Sequence, residues 1–335
     1  MNDSSRIIGT GHYVPDRVVT NYDLEEMMDT TDEWIVERTG IHERRWFEAG
    51  KDTVSSMGTN AARRALDNAG LQVEEVDFIV FATLSPDYYF PGCGVLVQNQ
   101  LGIDTVGALD VRNQCSGFLY GLSVADQFIR SGMYKTILVI GSEIQSNIMN
   151  KSPEGRSMAV IFGDGAGAVV LQATPVEGKG ILSTHLHSQG EYALELTVKE
   201  PSTVHKEQIL DRLIAGEGED LYPYMNGQFV FKNAIKRFME VINEALEAND
   251  MTSDEIDLLI PHQANLRIAQ FVQKKMGLAD DQIWNNIQKY GNTTAASIPI
   301  ALSEADEAGK LKEGDLLCLA AFGSGFTWAS ALIRW

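Results

Sequence analysis

ALDNAGLQVEEVDFIVFA (65–82) and ALEANDMTSDEIDLLIPH (245–262) decide how this chain folds. Both begin with Ala-Leu, pass through acidic residues to Glu-Val-Asp or Glu-Ile-Asp, and end in an apolar run. They lie 180 residues apart, and the same offset relates KTILVIGSE (135–143) to DLLCLAAFG (315–323). An internal duplication of about half the chain accounts for both pairs. In each half a helix leads through a turn into a short apolar run, and another helix and strand follow. FIVFAT, TILVIG, DLLIP and LLCLAAF are continuous rather than alternating, as in strands covered on both faces of a layered α/β fold. Helices are expected at 55–69, 116–131, 229–248 and 264–276. The reading is an α/β chain of two similar halves, 1–174 and 175–335, joined near QATPVEGKG (172–180) and packed together.

Composition agrees with that reading. The 335 residues exceed the usual size of a single core. With 44% hydrophobic and 22% charged residues and 30 glycines, the chain is neither disordered nor fibrous. A net charge of −19 argues against nucleic acid, whose phosphates need clustered cations. An acidic protein partner would have to dock at a local basic patch. MNDSSRIIGTG at the amino terminus lacks the basic-then-apolar layout of a signal peptide. The uncharged stretch 316–333 is interrupted by Gly-Ser-Gly at 323–325, so it reads as two strands around a turn rather than a membrane span. Three cysteines, Cys93, Cys115 and Cys318, offer neither a disulfide framework nor metal-type spacing, which suits a reducing cytoplasm. Cys318, inside LLCLAAF, reads as core.

Several motifs invite specific readings. IIGTGHYVP (7–15) suggests a dinucleotide loop, but Pro15 interrupts the place of the phosphate-binding helix and no third glycine follows. FGDGAGAVV (162–170) reads as the tight turn of a hairpin. HLH (185–187) sets two imidazoles on one strand face without an evident third ligand, so no metal site is expected. In TTDEWIVERTG, Thr30 and Glu33 form an expected capping box and Gly40 a stop, placing Trp34 and Arg38 on one helix face.

Chemistry gathers elsewhere. Cys115, in NQCSGFLYG (113–121), sits among small and polar residues just before an apolar helical pattern. A packing cysteine prefers apolar surroundings, whereas a helix start lowers a thiol pKa and suits a nucleophile. His262, in LLIPHQANLR, follows a buried strand, and the aligned position in the other half is Ala82. Asn292, in KYGNTTAAS, lies in a polar loop ahead of another helix. Taken singly these read as a packing cysteine, a core histidine and a turn asparagine. Together they occupy three strand-to-helix junctions, where the loops of two related halves can converge.

QCSGF, PHQAN, YGNTTAAS and AFGSGFTWAS, in this order and joined by TTDEWIVERTGI and IFGDGAGAVVL, resemble the β-ketoacyl-acyl-carrier-protein synthase III family of the thiolase superfamily. The resemblance covers essentially the whole chain. It implies a duplicated αβαβα fold, a homodimer and a Cys115–His262–Asn292 triad. The implied reaction is a decarboxylative Claisen condensation of an acyl-CoA primer with malonyl-acyl carrier protein, which starts fatty-acid or related chains. By similarity, the backbone N–H groups of Cys115 and Ser324 form an oxyanion hole. Trp34 and Arg156 would flank the adenine of coenzyme A, with Arg38 near its phosphates and Asn265 near its pantetheine. Phe90 would close the partner protomer's primer pocket. Lys232, Arg267, Lys274 and Lys275 would dock the acidic acyl carrier protein, and coenzyme A would enter as a thioester substrate with neither metal nor resident cofactor. Elongating synthases carry a second histidine, and thiolases a second cysteine, where this chain has Asn292. A non-decarboxylating Claisen enzyme needs a glutamate base upstream of the cysteine, and SPDYYFPG (85–92) offers only Asp87. A catalytically dead scaffold fits poorly with an intact triad, and a papain-like protease lacks its local cysteine signature here.

Overall fold

The computed structural model describes residues 4–204 and 206–335, so the reading of the amino terminus rests in part on Met1–Asp3, which lie outside the described residues. Five strands, β1 (Ser4–Tyr13), β2 (Phe78–Ala82), β3 (Gly107–Val111), β4 (Thr136–Glu143) and β5 (Gly165–Thr174), form one sheet in the order β1-β5-β4-β2-β3. A second sheet is built from β6 (Gly180–Ser188), β7 (Leu258–Pro261), β8 (Leu316–Gly323) and β9 (Thr327–Arg334), in the order β6-β9-β8-β7. The senses match strand for strand: β2 and β7 run parallel to β4 and β8, while β5 and β9 run antiparallel to them. The place of β3 is taken in the second sheet by one parallel bridge from Leu259 to Ile283.

Seven helices position the site: α1 (Asp32–Thr39), α2 (Val54–Ala69), α3 (Cys93–Leu101), α4 (Gly117–Arg130), α5 (Gly227–Glu247), α6 (Leu266–Met276) and α7 (Ser297–Glu307). A central core joins Phe118, Leu122 and Ile129 of α4 and Ile298, Leu302 and Ala305 of α7 to apolar residues of both sheets. Helices α2 and α3 cover the outer face of the first sheet, and α5 and α6 that of the second. Layers therefore alternate helix, sheet, helix, sheet, helix, the thiolase-like arrangement. Strand β4 is buried along all eight residues and β8 likewise, which explains the continuous apolar runs ILVIG and LLCLAAF within them.

Two local expectations are corrected. The helix from Asp32 is capped by Thr31, whose hydroxyl accepts the Trp34 N–H at 3.1 Å; Thr30 takes no such part. FGDGAGAVV is not a hairpin turn, because residues 165–174 are strand β5, paired with β1 on one side and β4 on the other. Its glycines serve close packing: a Cβ at Gly167 would come within 2.5 Å of the Ile300 nitrogen in α7. IIGTGHYVP lies mainly in β1, leaving no phosphate loop, and the uncharged carboxy-terminal stretch forms the β8–β9 pair as expected. Among the described residues no helix is long and apolar enough to cross a membrane.

Candidate active site

Gln114–Ser116 and Thr294–Ala296 each form one 3-10 turn leading into α4 and α7, at the same 180-residue offset seen in the sequence. Gln114 (φ 46°) and Thr294 (φ 48°) both adopt left-handed backbone, which non-glycine residues enter at a cost. One turn carries Cys115 and the other follows Asn292. The end of β8 passes directly against the nucleophile, since a Cβ at Gly323 would lie 2.8 Å from the Cys115 Cβ and 3.2 Å from its Sγ.

Cys115 is buried, and its environment reverses the sequence expectation of a lowered pKa. Burial, with the Glu143 carboxylate adding to it, pushes the thiol up to about 12, against the opposing pull of the Cys115 and Ser324 backbone N–H groups. A helix terminus contributes about 0.3–1 kcal/mol, less than the roughly 1.4 kcal/mol of one pKa unit. Enclosure therefore wins. The two N–H groups nonetheless converge on the sulfur, where the oxyanion hole was expected.

His262 follows β7 directly and is tied to the neighbouring strand β8 by its N–H donating to the Ala320 carbonyl at 2.8 Å. Its Nδ1 lies 2.6 Å from Ser297 Oγ, and that hydroxyl also accepts the Gln263 N–H at 3.4 Å. Complete burial pushes the imidazole down to about 3, so it is neutral near pH 7. Its Nε2 is buried without a hydrogen-bond partner among the described residues. Asn292 is fixed by its backbone, its N–H donating to Ile161 O at 2.9 Å and its carbonyl accepting from Gly163 N at 3.1 Å. Its Oδ1 accepts the Thr294 N–H at 2.8 Å, which leaves the NH2 side of the amide for other contacts.

Cys115, His262 and Asn292 line one cavity of about 130 Å³, together with Asn265, Phe322 and Gly323. A second cavity of about 170 Å³ shares Cys115, Phe162 and Leu196 with the first and continues past Leu84, Ile148 and Met149. The nucleophile thus stands where the two cavities meet.

Comparison with known proteins settles the kinship. Residues 109–190 match the family described as 3-oxoacyl-[acyl-carrier-protein] synthase III, and residues 246–335 match its carboxy-terminal counterpart. The chain is 45% identical over 330 residues to the β-ketoacyl-[acyl-carrier-protein] synthase III of Salmonella arizonae, covering 98% of this chain and 99% of that protein. The chain belongs to the β-ketoacyl-acyl-carrier-protein synthase III family. The synthase III of Escherichia coli K12 is equally similar, at 45% over 98% of this chain and 99% of the relative. The crystal structure of 3-oxoacyl-[acyl-carrier-protein] synthase III from Aquifex aeolicus superposes with a TM-score of 0.90 at 43% identity, over 99% of this chain and 100% of that one.

The other positions implied by likeness to synthase III are dispersed around this centre. Both Arg38 and Arg156 stack on the Trp34 ring, at 4.7 and 4.6 Å. That spacing is direct contact, so an adenine can enter beside Trp34 only after Arg156 swings aside. Asn265 caps α6, its Oδ1 accepting from Arg267 N and its Nδ2 donating to the Arg38 carbonyl, both at 2.9 Å. Phe90 is 80% exposed and lines neither cavity of its own chain. Lys232 on α5 and Arg267 and Lys274 on α6 are exposed and make no ion pair among the described residues. The Lys275 ammonium lies 5.6 Å above the Phe271 ring, whereas Lys236 is engaged by Glu240 at 3.7 Å. Asp87 caps the start of α2, accepting from Val54 N at 2.7 Å, and lies in neither Cys115 cavity. His185 and His187 both contact Glu244, and no group suited to a metal ion is found among the described residues.

Sequence reasoning passed over two side chains of the site. Ser297 holds His262, and its sequence signal was its offset of 180 from Gly117, the first residue of α4. Glu143, fully buried beside Cys115, closes the apolar run TILVIGSE as its only charge.

Proposed function

We infer that this chain condenses an acyl-CoA primer with malonyl-acyl carrier protein, with loss of CO2, to give the 3-oxoacyl-acyl carrier protein that begins a fatty-acid chain. The reading rests on one observation: two related halves deliver a thiol, a neutral imidazole and a carboxamide to one cavity. Cys115 attacks the thioester carbonyl, and its proton leaves with the departing coenzyme A thiol. The high thiol pKa fits a nucleophile that loses its proton only as the thioester arrives. The acyl chain occupies the cavity along Leu84, Ile148 and Met149, while the N–H groups of Cys115 and Ser324 hold the tetrahedral oxyanion.

Malonyl-carrier protein then enters the chamber of His262 and Asn292. Loss of CO2 leaves the electron pair as an enolate, whose oxygen takes hydrogen bonds from His262 Nε2 and Asn292 Nδ2. Because Ser297 Oγ already accepts from Gln263, its own proton is free to go to His262 Nδ1, which places the imidazole proton on Nε2. A neutral donor suits this step, since imidazolium would protonate the enolate rather than hold it. The carbanion attacks the acyl-cysteine, and the expelled thiolate regains a proton from solvent. The electron pair that departing CO2 leaves on the substrate supplies the carbanion, so the condensation calls for neither a metal nor a resident cofactor.

The partner readings follow the same logic. Unpaired Lys232, Arg267 and Lys274, with Lys275, present a basic face to an acidic carrier on a chain of net charge −19. The exposed Tyr88-Tyr89-Phe90 loop and edge strand β3 suit a homodimer in which Phe90 closes the partner's primer pocket. Trp34, Arg38, Arg156 and Asn265 would receive coenzyme A. Three unpaired cysteines, one of them reactive, fit a reducing cytoplasm.

Incubation with a panel of short acyl-CoAs should add one acyl mass to Cys115, and Cys115→Ala should abolish it. Labelled CO2 should then be released from malonyl-carrier protein. A wild-type protein left unmodified across the panel would overturn the assignment.

A further inference from the structure

Glu143 ends β4, a strand buried along its whole length, and is itself fully buried. No lysine, arginine or histidine among the described residues forms an ion pair with it. Instead its carboxylate collects donors: Leu84 N–H at 3.1 Å, Thr83 Oγ1 at 3.2 Å, Ser85 Oγ at 2.5 Å and Gln145 Nε2 at 3.1 Å. The buried Thr294 hydroxyl lies beside it as well. Leu84, Gln145 and Thr294 all line the second cavity at Cys115, the one that continues past Ile148 and Met149. One carboxylate therefore gathers the loop after β2, the chain after β4 and the turn behind Asn292.

The duplication explains the placement. The position 180 residues on is Gly323, whose lack of a side chain makes room for Cys115. Glu143 faces the matching turn, at Thr294, which carries no nucleophile, so a long acidic side chain fits where the other half must have none.

We propose that Glu143 is a positioning residue of the condensation, a buried carboxylate that clamps the Thr83–Ser85 loop, Gln145 and the Asn292 turn around Cys115. The inference rests on the synthase reading above for the reaction it serves. Burial raises the Glu143 pKa against the pull of the donors around it, and in its ionised form the carboxylate opposes thiolate formation at Cys115. The titratable groups facing Cys115 are Glu143 from β4, His262 after β7 and Arg112 ahead of the Cys115 turn, and His262 is already neutral. Glu143 also bears on Cys93 at the start of α3, together with Asp87 and Asp110.

The test compares wild type with Glu143→Gln and Glu143→Asp, each confirmed as folded by its melting curve. Iodoacetamide labelling of Cys115, located by peptide mass, is followed against pH without any substrate. Glu143→Gln should move the labelling profile to lower pH by roughly half a unit to one unit. In the same variant kcat for condensation should fall about 10-fold or more, with Glu143→Asp restoring part of it. A thiol more reactive towards a small reagent yet slower in condensation separates positioning from general loosening. An unchanged labelling profile with wild-type kcat would overturn the proposal, as would labelling and kcat declining together with the melting temperature. Because labelling needs no acyl substrate, a wrong substrate assignment would leave that arm intact.

Discussion

At the scale of single residues, the site works through burial. His262 is held neutral by enclosure, with its pKa lowered from 6.5 to about 3. Between those values the unfolded chain binds a proton that the folded imidazole refuses. Its contribution to stability is thus complete above pH 6.5 and is lost, by about 1.4 kcal/mol per pH unit, as pH falls towards 3. Melting temperatures measured from pH 7 to 4 should therefore drop more steeply for wild type than for His262→Gln; parallel curves would contradict a buried neutral imidazole. That Cys115, His262 and Asn292 would meet in one cavity was legible in the sequence because each stands in a short polar motif at a strand-to-helix junction. The acidity of Cys115 was misjudged because a local rule about helix ends ignored the enclosure that only the opposite half supplies. Ser297 and Glu143 escaped for the same reason: their partners are remote in sequence.

Among elements, close approach of backbone to backbone fixes the architecture. Strand β5 packs under α7 at Gly167, where a Cβ would meet the Pro299 and Ile300 backbone at 2.5 Å. Gly167→Ala should cost about 1–3 kcal/mol through overpacking. Since α7 starts at Ser297, it should also lower kcat, and a variant with unaltered melting and turnover would show that the contact is slack. Apolar runs and the 180-residue offset made the buried strands readable, since strands covered on both faces need continuous hydrocarbon. FGDGAGAVV was misread because glycine favours turns locally, whereas pairing with β1 and β4 holds it extended. Thr31, not Thr30, caps α1, a one-residue difference that sequence cannot resolve when two threonines adjoin.

For the whole molecule, charge distribution governs encounter. Against an overall −19, unpaired Lys232, Arg267 and Lys274 with Lys275 form a basic face on α5 and α6. Reversing two charges, Arg267→Glu with Lys274→Glu, should raise KM for malonyl-carrier protein about 10-fold and weaken its salt dependence. Acylation of Cys115 by acyl-CoA should be untouched; equal damage to both half-reactions would place the carrier elsewhere. Two similar packed halves were predictable from the duplication and five alternating layers from the resemblance to synthase III, but which loops meet was not, because that depends on how the two sheets face each other across α4 and α7. The same layering has a mechanical corollary. The thiol hangs from one half and its two donors from the other, so the gap between them is gauged by the hydrocarbon of Phe118, Leu122, Ile298 and Leu302. Reach across the chamber is an interior dimension, and a lost methyl group in that middle tier would detune the chemistry without touching any reacting atom.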